Sequence, residues 1–411
     1  MEMHRLTPRI SAERARTLLV SRVRPLSRTE KVPLLKAHGR SAAGTLRSPI
    51  GIPPFPSSHV DGYAVRSVDL PAPDGDARPG LSLVGEVHAG ESFPRRLRPG
   101  ETVAVATGAP VPEGADAVEM FEDVEREGTT VRFSGPVPRG QFIDPPGHDL
   151  RRGAVILRKG EVLSAPLLGA LGIAGIPEVR VFARPRIALL SNGNELREPG
   201  TRLPRGAVYE SNTTALAALV ERCGGEAVRK PSLPDDATAI ARGIAAALRE
   251  SDLVVITGGS SVGERDLLGQ VFPRFGPLLF HGIRVRPGMP TLAAVAGGKV
   301  VLGMPGHPAS CLSNALWLLA PLVRKLASLP GDGTEPVEVT MADATPLHGH
   351  GFSTLLPLRI EGGKARSTFH GSHFITSLKE ANGFALLPPS KEGLKKGERL
   401  LARKAAFLGG N

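Results

Sequence analysis

The chain has 411 residues and carries 51 lysines and arginines against 40 aspartates and glutamates, a formal net charge of +11. That length exceeds what one core ordinarily serves and implies roughly two to four domains. Apolar residues make up 41% of it, with 49 glycines and 38 prolines, so disorder is excluded in favour of a folded, turn-rich protein.

The basic balance favours anionic partners such as phosphates or oxyanions, although a generally basic, solvated surface accounts for it equally well. Arginines stand singly or in pairs, as at Arg95-Arg96 and Arg151-Arg152, without the aromatic-interleaved stripe of single-strand nucleic-acid binders. No run reaches the length of a membrane span, and the first ten residues hold no apolar core of signal-peptide length. Cys223 and Cys311 lie far apart with no Cys-x-x-Cys, which argues against a thiolate metal site or a disulfide framework and fits a reducing, cytoplasmic setting.

In chain order, Ser11 is an N-cap candidate for a helix carrying Ala15, Leu18 and Leu19 at helical spacing. Residues 1–47 and 147–181 are read together as one elongated, discontinuous N-terminal domain. Between them, 48–146 alternates in short runs such as 81–87 and 102–106, bounded by proline and glycine, and reads as an inserted β domain. From 182 to 329 the pattern is strand, loop, helix, repeated: strands at 187–190, 226–228, 253–256 and 299–302, helices near 213–222, 236–249 and 309–326. This predicts a three-layer parallel α/β sheet with both faces covered. Residues 330–411 return to alternating strands and predict a small C-terminal β-barrel-like domain.

The stretch Thr257-Gly-Gly-Ser-Ser-Val-Gly-Glu-Arg-Asp266 follows a buried-strand pattern and precedes a helical one. Gly258, Gly259 and Gly263 would let backbone N–H groups approach an anion, and Ser260 and Ser261 add hydroxyls. In open α/β sheets the ligand crevice lies outside the carboxyl ends of the strands. A tight strand-to-helix turn is the alternative reading. The loop lacks a Walker-type Gly-Lys-Ser/Thr, which counts against nucleotide hydrolysis.

Several motifs in register resemble the MoeA family of molybdenum insertases, which includes the catalytic domain of gephyrin. They are Pro53-Pro-Phe-Pro-Ser-Ser-His-Val-Asp-Gly-Tyr-Ala-Val-Arg66, Thr107-Gly-Ala-Pro-Val-Pro-Glu-Gly-Ala-Asp-Ala-Val118, Ser191-Asn-Gly-Asn-Glu-Leu196, the 257–266 loop, Arg286-Pro-Gly-Met-Pro290 and Met304-Pro-Gly-His-Pro308. The resemblance covers nearly the whole chain. It implies a transferase of molybdenum cofactor biosynthesis: adenylylated molybdopterin and molybdate, or tungstate, give the metal-loaded cofactor and AMP. It also implies a homodimer in which Asp61 of the inserted β domain acts on the α/β domain of the partner subunit. The preceding adenylyltransferase and the apo-molybdoenzymes follow as expected protein partners.

On that reading Asp61, Glu195 and Asp266 are the catalytic candidates. Carboxylates beside anionic substrates call for an intervening cation, so Glu195 and Asp266 are also the candidate Mg²⁺ ligands. Each has a plainer alternative, since Asp61-Gly62 is an ordinary turn pair and acidic residues favour the first turn of a helix. Thr107, Gly108, Gly258, Gly259, Ser260, Ser261, Gly263, Arg286, Pro305, Gly306 and His307 are the expected substrate-binding positions. The resemblance adds Asp149 in a hinge segment and Ser372 and His373 beside the pterin.

Two positions depart from the family pattern. Lys-Pro-Gly-Lys-Pro is replaced by Arg286-Pro-Gly-Met289-Pro, which exchanges one point charge for a bidentate donor and loses the other. Pro-Gly-Asn-Pro becomes Pro305-Gly-His307-Pro, where His307 either restores a donor with a pH-dependent charge or is a turn histidine. A non-catalytic molybdopterin-binding paralogue and a molybdopterin adenylyltransferase stay open as alternatives. His348, His350, His370 and His373 do not make a defensible zinc site.

Overall fold

A computed structural model describes residues 9–70, 80–258, 266–347 and 351–408. By packing, the chain divides into two compact units. One comprises residues up to 30, 39–43 and everything from 180 onwards; the other comprises 31–38 and 44–179.

The first unit is organised by a six-stranded sheet in the order Glu226–Arg229, Arg186–Ser191, Leu253–Thr257, Lys299–Met304, Leu292–Ala296, Leu278–His281. The first four strands are parallel, as the strand–helix alternation predicts. The last two pair antiparallel, so the sheet is mixed rather than wholly parallel. The cause is local: Gly297 and Gly298 both adopt positive φ, +55° and +81°, and close a two-residue hairpin with Ala296 opposite Lys299. Only residues tolerant of positive φ permit that turn.

Alternate residues of the central strands feed two cores. Ile187, Leu189, Val255 and Leu302 pack with Leu216, Leu219 and Val220 of the helix Asn212–Arg222 and with the helical run that follows Pro308. Ala188, Leu190, Val254, Ile256 and Val301 pack on the other face with Ile240 and Ile244 of the helix Ala237–Glu250. Period-two strands buried on both sides give the three-layer arrangement. The helix Ala12–Arg22 is capped by Ser11, whose hydroxyl accepts from the Arg14 N–H at 3.1 Å, and it buries Ala12, Ala15 and Leu19 in the first of these cores.

Strands Thr334–Met341, Ser353–Glu361, Lys364–Ser367, Gly383–Leu387 and Arg399–Ala405 close into a barrel, because Ser353–Glu361 pairs with Gly383–Leu387 as well as with Lys364–Ser367. Its interior holds Val339, Leu356, Leu358, Ile360 and Ala402. Trp317, in a π-helical stretch Ala315–Leu319, ties the ends of this unit together. Its indole N–H donates to the Ala12 carbonyl at 3.0 Å, and the guanidinium carbons of Arg16 and Arg403 lie 4.5 and 5.9 Å from its ring centre. Both arginines also pair with Asp332.

The second unit contains a six-stranded sheet in the order Ala117–Met120, Gly62–Val65, Glu101–Val105, Gly80–Val87, Thr130–Phe133, Val124–Glu127. Tyr63, Val65, Val131 and Phe133 form a core on one face, and Ala64, Val103, Val105 and Val118 on the other. Among the described residues of the chain, no helix is long and apolar enough to cross a membrane.

Candidate functional site

Three chain segments meet at the carboxyl edge of the mixed sheet. Asn192 follows the strand Arg186–Ser191, Gly258 follows Leu253–Thr257, and Pro305 and Gly306 follow Lys299–Met304. The Asn192 N–H donates to the Thr257 carbonyl at 3.0 Å and the Gly258 N–H to the Met304 carbonyl at 3.3 Å. Gly258 is obligatory here: its φ is +100°, and a Cβ would stand 2.3 Å from the Asn192 carbonyl oxygen. The Gly306 carbonyl accepts from Asn212 Nδ2 at 2.8 Å. This is the strand-end crevice where α/β sheets bind ligands. Gly259, Ser260, Ser261 and Gly263 lie outside the described residues, as do His348 and His350.

Asp235 organises this edge, and sequence reasoning missed it. Its carboxylate accepts from Asn192 Nδ2 at 2.8 Å and from the Asn194 N–H at 3.1 Å. The signal was the doubled acid Asp235-Asp236, of which only the second caps the following helix, accepting from Ala239 N–H at 2.7 Å. Asn192 Oδ1 is buried without a hydrogen-bond partner among the described residues, an acceptor left for a donor that the fold does not supply.

The two candidate magnesium ligands stand differently. Glu195 is exposed, and its carboxylate lies over Gly193, where a Cβ would come within 2.7 Å of it. Asp266 is the N-cap of Leu267–Val271; one oxygen accepts from the Gly269 N–H at 2.9 Å and the other lies 2.7 Å from His281 Nε2. Both oxygens are thus engaged, which is the helix-start alternative. Among the described residues no group of three or more His, Cys, Asp or Glu is placed to hold a metal ion. As arranged, Glu195 and Asp266 do not fit a resident magnesium ion. The two cysteines are no substitute, being buried and free; burial pushes the Cys223 thiol up to about 12 and raises that of Cys311 as well.

Beside the strand-end edge, and within the same unit, opens a cleft of ≈ 1000 Å³. One wall is the segment from Arg286 to Pro290. Gly288 has φ +106° and packs on Asn314, whose Nδ2 donates to the Gly288 carbonyl and to Thr291 Oγ1, both at 2.7 Å. That buried amide fixes the turn and leaves Arg286 exposed, 5.1 Å from the Phe352 ring centre, with Met289 half-buried beside it. Pro305, Gly306 and His307 form a second wall, and the barrel supplies Thr354, Ser372 and His373. The Ser310 N–H donates to the Ser372 carbonyl at 3.2 Å, which holds the barrel loop against the helix Pro308–Asn314. Thr354 is 9% exposed, and its hydroxyl has no partner among the described residues.

The structure therefore gathers Gly258, Arg286, Pro305, Gly306 and His307 along one edge of the first unit. Asp61, Thr107, Gly108 and Asp149 belong to the second unit. There, Gly62 opens a central strand and is pressed against the neighbouring strand, since a Cβ would stand 2.1 Å from the Glu119 carbonyl oxygen. Tyr63 is buried and meets Phe121 edge-on, with ring centres 4.8 Å apart. Asp61, just off the strand, is exposed; its Oδ1 accepts from the Thr107 N–H at 2.7 Å and from the Thr107 hydroxyl at 3.0 Å. The bond from the Thr107 backbone, then that from its hydroxyl, hold the Asp61 carboxyl below its ordinary pKa. The Gly108 N–H donates to Ser58 at 2.8 Å, which anchors the turn. Nearby, Asp144 is held by His59 Nδ1 at 3.1 Å and His148 Nδ1 at 3.0 Å, a cluster that the sequence motifs did not reveal.

Comparisons with known proteins match this layout from end to end. Residues 10–175 match the MoeA N-terminal region (domain I and II), 188–325 a probable molybdopterin binding domain, and 340–402 the MoeA C-terminal region (domain IV). A curated molybdopterin molybdenumtransferase from Nostoc sp. is 30% identical, across 97% of this chain and 94% of that protein. The chain belongs to the MoeA family. A second molybdopterin molybdenumtransferase, from Haemophilus influenzae, is 35% identical over 77% of this chain and 78% of its own length. A solved MoeA protein of molybdopterin biosynthesis from Pyrococcus horikoshii superposes with TM-score 0.83 at 34% identity, over 98% of this chain and all of that one. As a MoeA relative, the chain carries its departures, Met289 and His307, on the cleft itself.

Proposed function

We propose that this chain is a molybdopterin molybdenumtransferase that loads molybdate or tungstate into adenylylated molybdopterin with release of AMP. The observation that carries the reading is full-length kinship with molybdenumtransferases, joined to a strand-end crevice that opens beside a cleft lined by a cation. Gly258, Pro305 and Gly306 offer backbone to the substrate's phosphates; Arg286 and His307 face the oxyanion; Ser372 stands on the pterin side, and His373 stands between the pterin and His307. Asp61, with its lowered pKa, stays ionised at neutral pH and serves as the charged group of the second unit, acting in a homodimer on the partner subunit's crevice. Glu195 and Asp266 complete the proposed acidic set, Asp266 through its clasp on His281. Asp149 is assigned to the hinge.

Magnesium enters this reading only as an ion carried by the substrate's phosphates, toward which Glu195 presents an exposed carboxylate; no step is derived from it. The division into 1–47 with 147–181, 48–146, 182–329 and 330–411, a cytoplasmic location, and contacts with the adenylyltransferase and apo-molybdoenzymes belong to the same proposal. The non-catalytic and adenylyltransferase alternatives are not favoured, because relatives that cover 97% and 89% of the chain are named molybdenumtransferases. The test is incubation of the purified protein with adenylylated molybdopterin, Mg²⁺ and molybdate or tungstate. AMP and metal-loaded cofactor are the expected products, and their absence with both oxyanions rejects the reading.

A further inference from the structure

The cleft has an unusual charge make-up. Among the described residues that line it, Arg286 is the one permanent cation, no carboxylate is present, and the other ionisable groups are His307, His370 and His373. The His307 and His373 rings meet edge-on with centres 6.0 Å apart at 68°, and His373 rests on Phe374 at 4.2 Å. Thr354, nine-tenths buried, adds a hydroxyl with no partner of its own among the described residues.

From these contacts we infer that His307 and His373 form a proton-dependent oxyanion site with Arg286, so that the cleft holds molybdate or tungstate more tightly as the imidazoles become protonated. The inference rests on the insertase reading for the identity of the oxyanion. A neutral imidazole offers one N–H donor and an imidazolium offers two donors and a charge, whereas the dianion keeps its charge between about pH 6 and pH 8. Among the described residues that line the cleft, no carboxylate neutralises the pair. The short helix Thr376–Lys379, packed against the helix that His307 caps, carries only Lys379 as a charge. Glu210, at the entry to the next helix packed there, is 2% exposed and spent on Thr213 and Arg229. Cys311 on the capped helix stays a neutral thiol because burial raises its pKa. Met289, where the family pattern has a second lysine, leaves the proton-dependent charge to the histidines.

The experiment is calorimetric titration of the full chain with sodium molybdate, which stays a monomeric dianion under these conditions, at about pH 6 and about pH 8 and constant ionic strength. Binding about tenfold tighter at the lower pH is expected, and the double variant His307→Asn, His373→Asn, which leaves only His370 to titrate among the described lining residues, is expected to lose most of that difference. Equal wild-type affinity at the two pH values overturns the inference, and so does a double variant that keeps the difference, or a wild type that binds at neither. Should the double variant melt early, His307→Asn alone is read, with loss of at least half of the logarithmic pH effect as the criterion. AMP release at saturating molybdate and about pH 8 is scored separately. A protein that releases AMP but binds molybdate without pH dependence keeps its proposed function and loses this inference.

Discussion

Asp61 takes two hydrogen bonds from one residue, Thr107: one from its backbone N–H at 2.7 Å and one from its hydroxyl at 3.0 Å. The two residues are 46 positions apart and come from separate family motifs, so the sheet of the second unit exists in part to bring them together. The backbone bond survives a change of side chain at 107 other than to proline, and the hydroxyl bond survives only where a hydroxyl is kept. Thr107→Val is therefore expected to raise the Asp61 pKa part of the way back to its ordinary value, read by carbon-13 NMR of the carboxyl. Asp61→Asn is expected to lower AMP release by about 100-fold or more while leaving the fold intact. An unchanged rate in that variant would remove Asp61 from the chemistry.

Gly258 can hold no side chain without displacing the strand end beside it. Gly258→Ala adds a methyl 2.3 Å from the Asn192 carbonyl at a φ of +100°. Its expected cost is about 1–3 kcal/mol in urea unfolding, with loss of substrate affinity. A variant as stable and as active as wild type would show that the edge relaxes freely.

Met289 is the position at which one charge can be put back. Met289→Lys is expected to raise tungstate affinity at about pH 8 by about fivefold at low salt, with the gain shrinking as salt screens the cleft. Arg286→Met is expected to weaken binding at every pH, which separates the permanent charge from the proton-dependent one.

Asp332 carries a pH signature of stability. Burial alone pushes its carboxyl up, but hydrogen bonds from Thr334 and Arg16 outweigh it and hold the pKa at about 2, against an ordinary 3.8. A depressed carboxylate stabilises the fold above its unfolded pKa, and that contribution is lost as pH falls through about 2. Asp332→Asn should cost about 1–2 kcal/mol at neutral pH, after discounting for partial exposure, and progressively less below about pH 4. A constant difference down to low pH would assign the cost to packing around Trp317.

Much of the fold was legible because it rests on local patterns. Strand runs such as 187–190 and 253–256 are buried on both faces and helices such as 236–249 carry one apolar stripe, so their periodicities were plain in the sequence. The antiparallel edge was missed although Gly297-Gly298 announced it, because Leu292–Ala296 is rich in alanine and has weak strand character. Among the candidate residues, Asp61 and Thr107 of the second unit and Arg286 of the first were singled out through motifs that span turns. Asp235, Asn314 and Thr354 were not, since each acts on residues far away in sequence, and a lone Asp, Asn or Thr carries no spacing signal. Asp266 shows the converse: a motif acid whose two oxygens turn out to be held by Gly269 and His281.

Trp317 lies between Arg16 of the helix Ala12–Arg22 and Arg403 of the strand Arg399–Ala405, so this unit joins segments translated far apart in time. Residues 44–179 bring their own cores, whereas the helix Ala12–Arg22 packs, beyond its immediate neighbours Ile10, Val23 and Leu26, in a cluster whose other described members follow residue 186. On the ribosome residues 44–179 should thus acquire protease resistance first, while the helix Ala12–Arg22 waits for the segments that follow residue 186. Limited proteolysis of arrested nascent chains would reveal that order, and early protection of residues 12–22 would refute it.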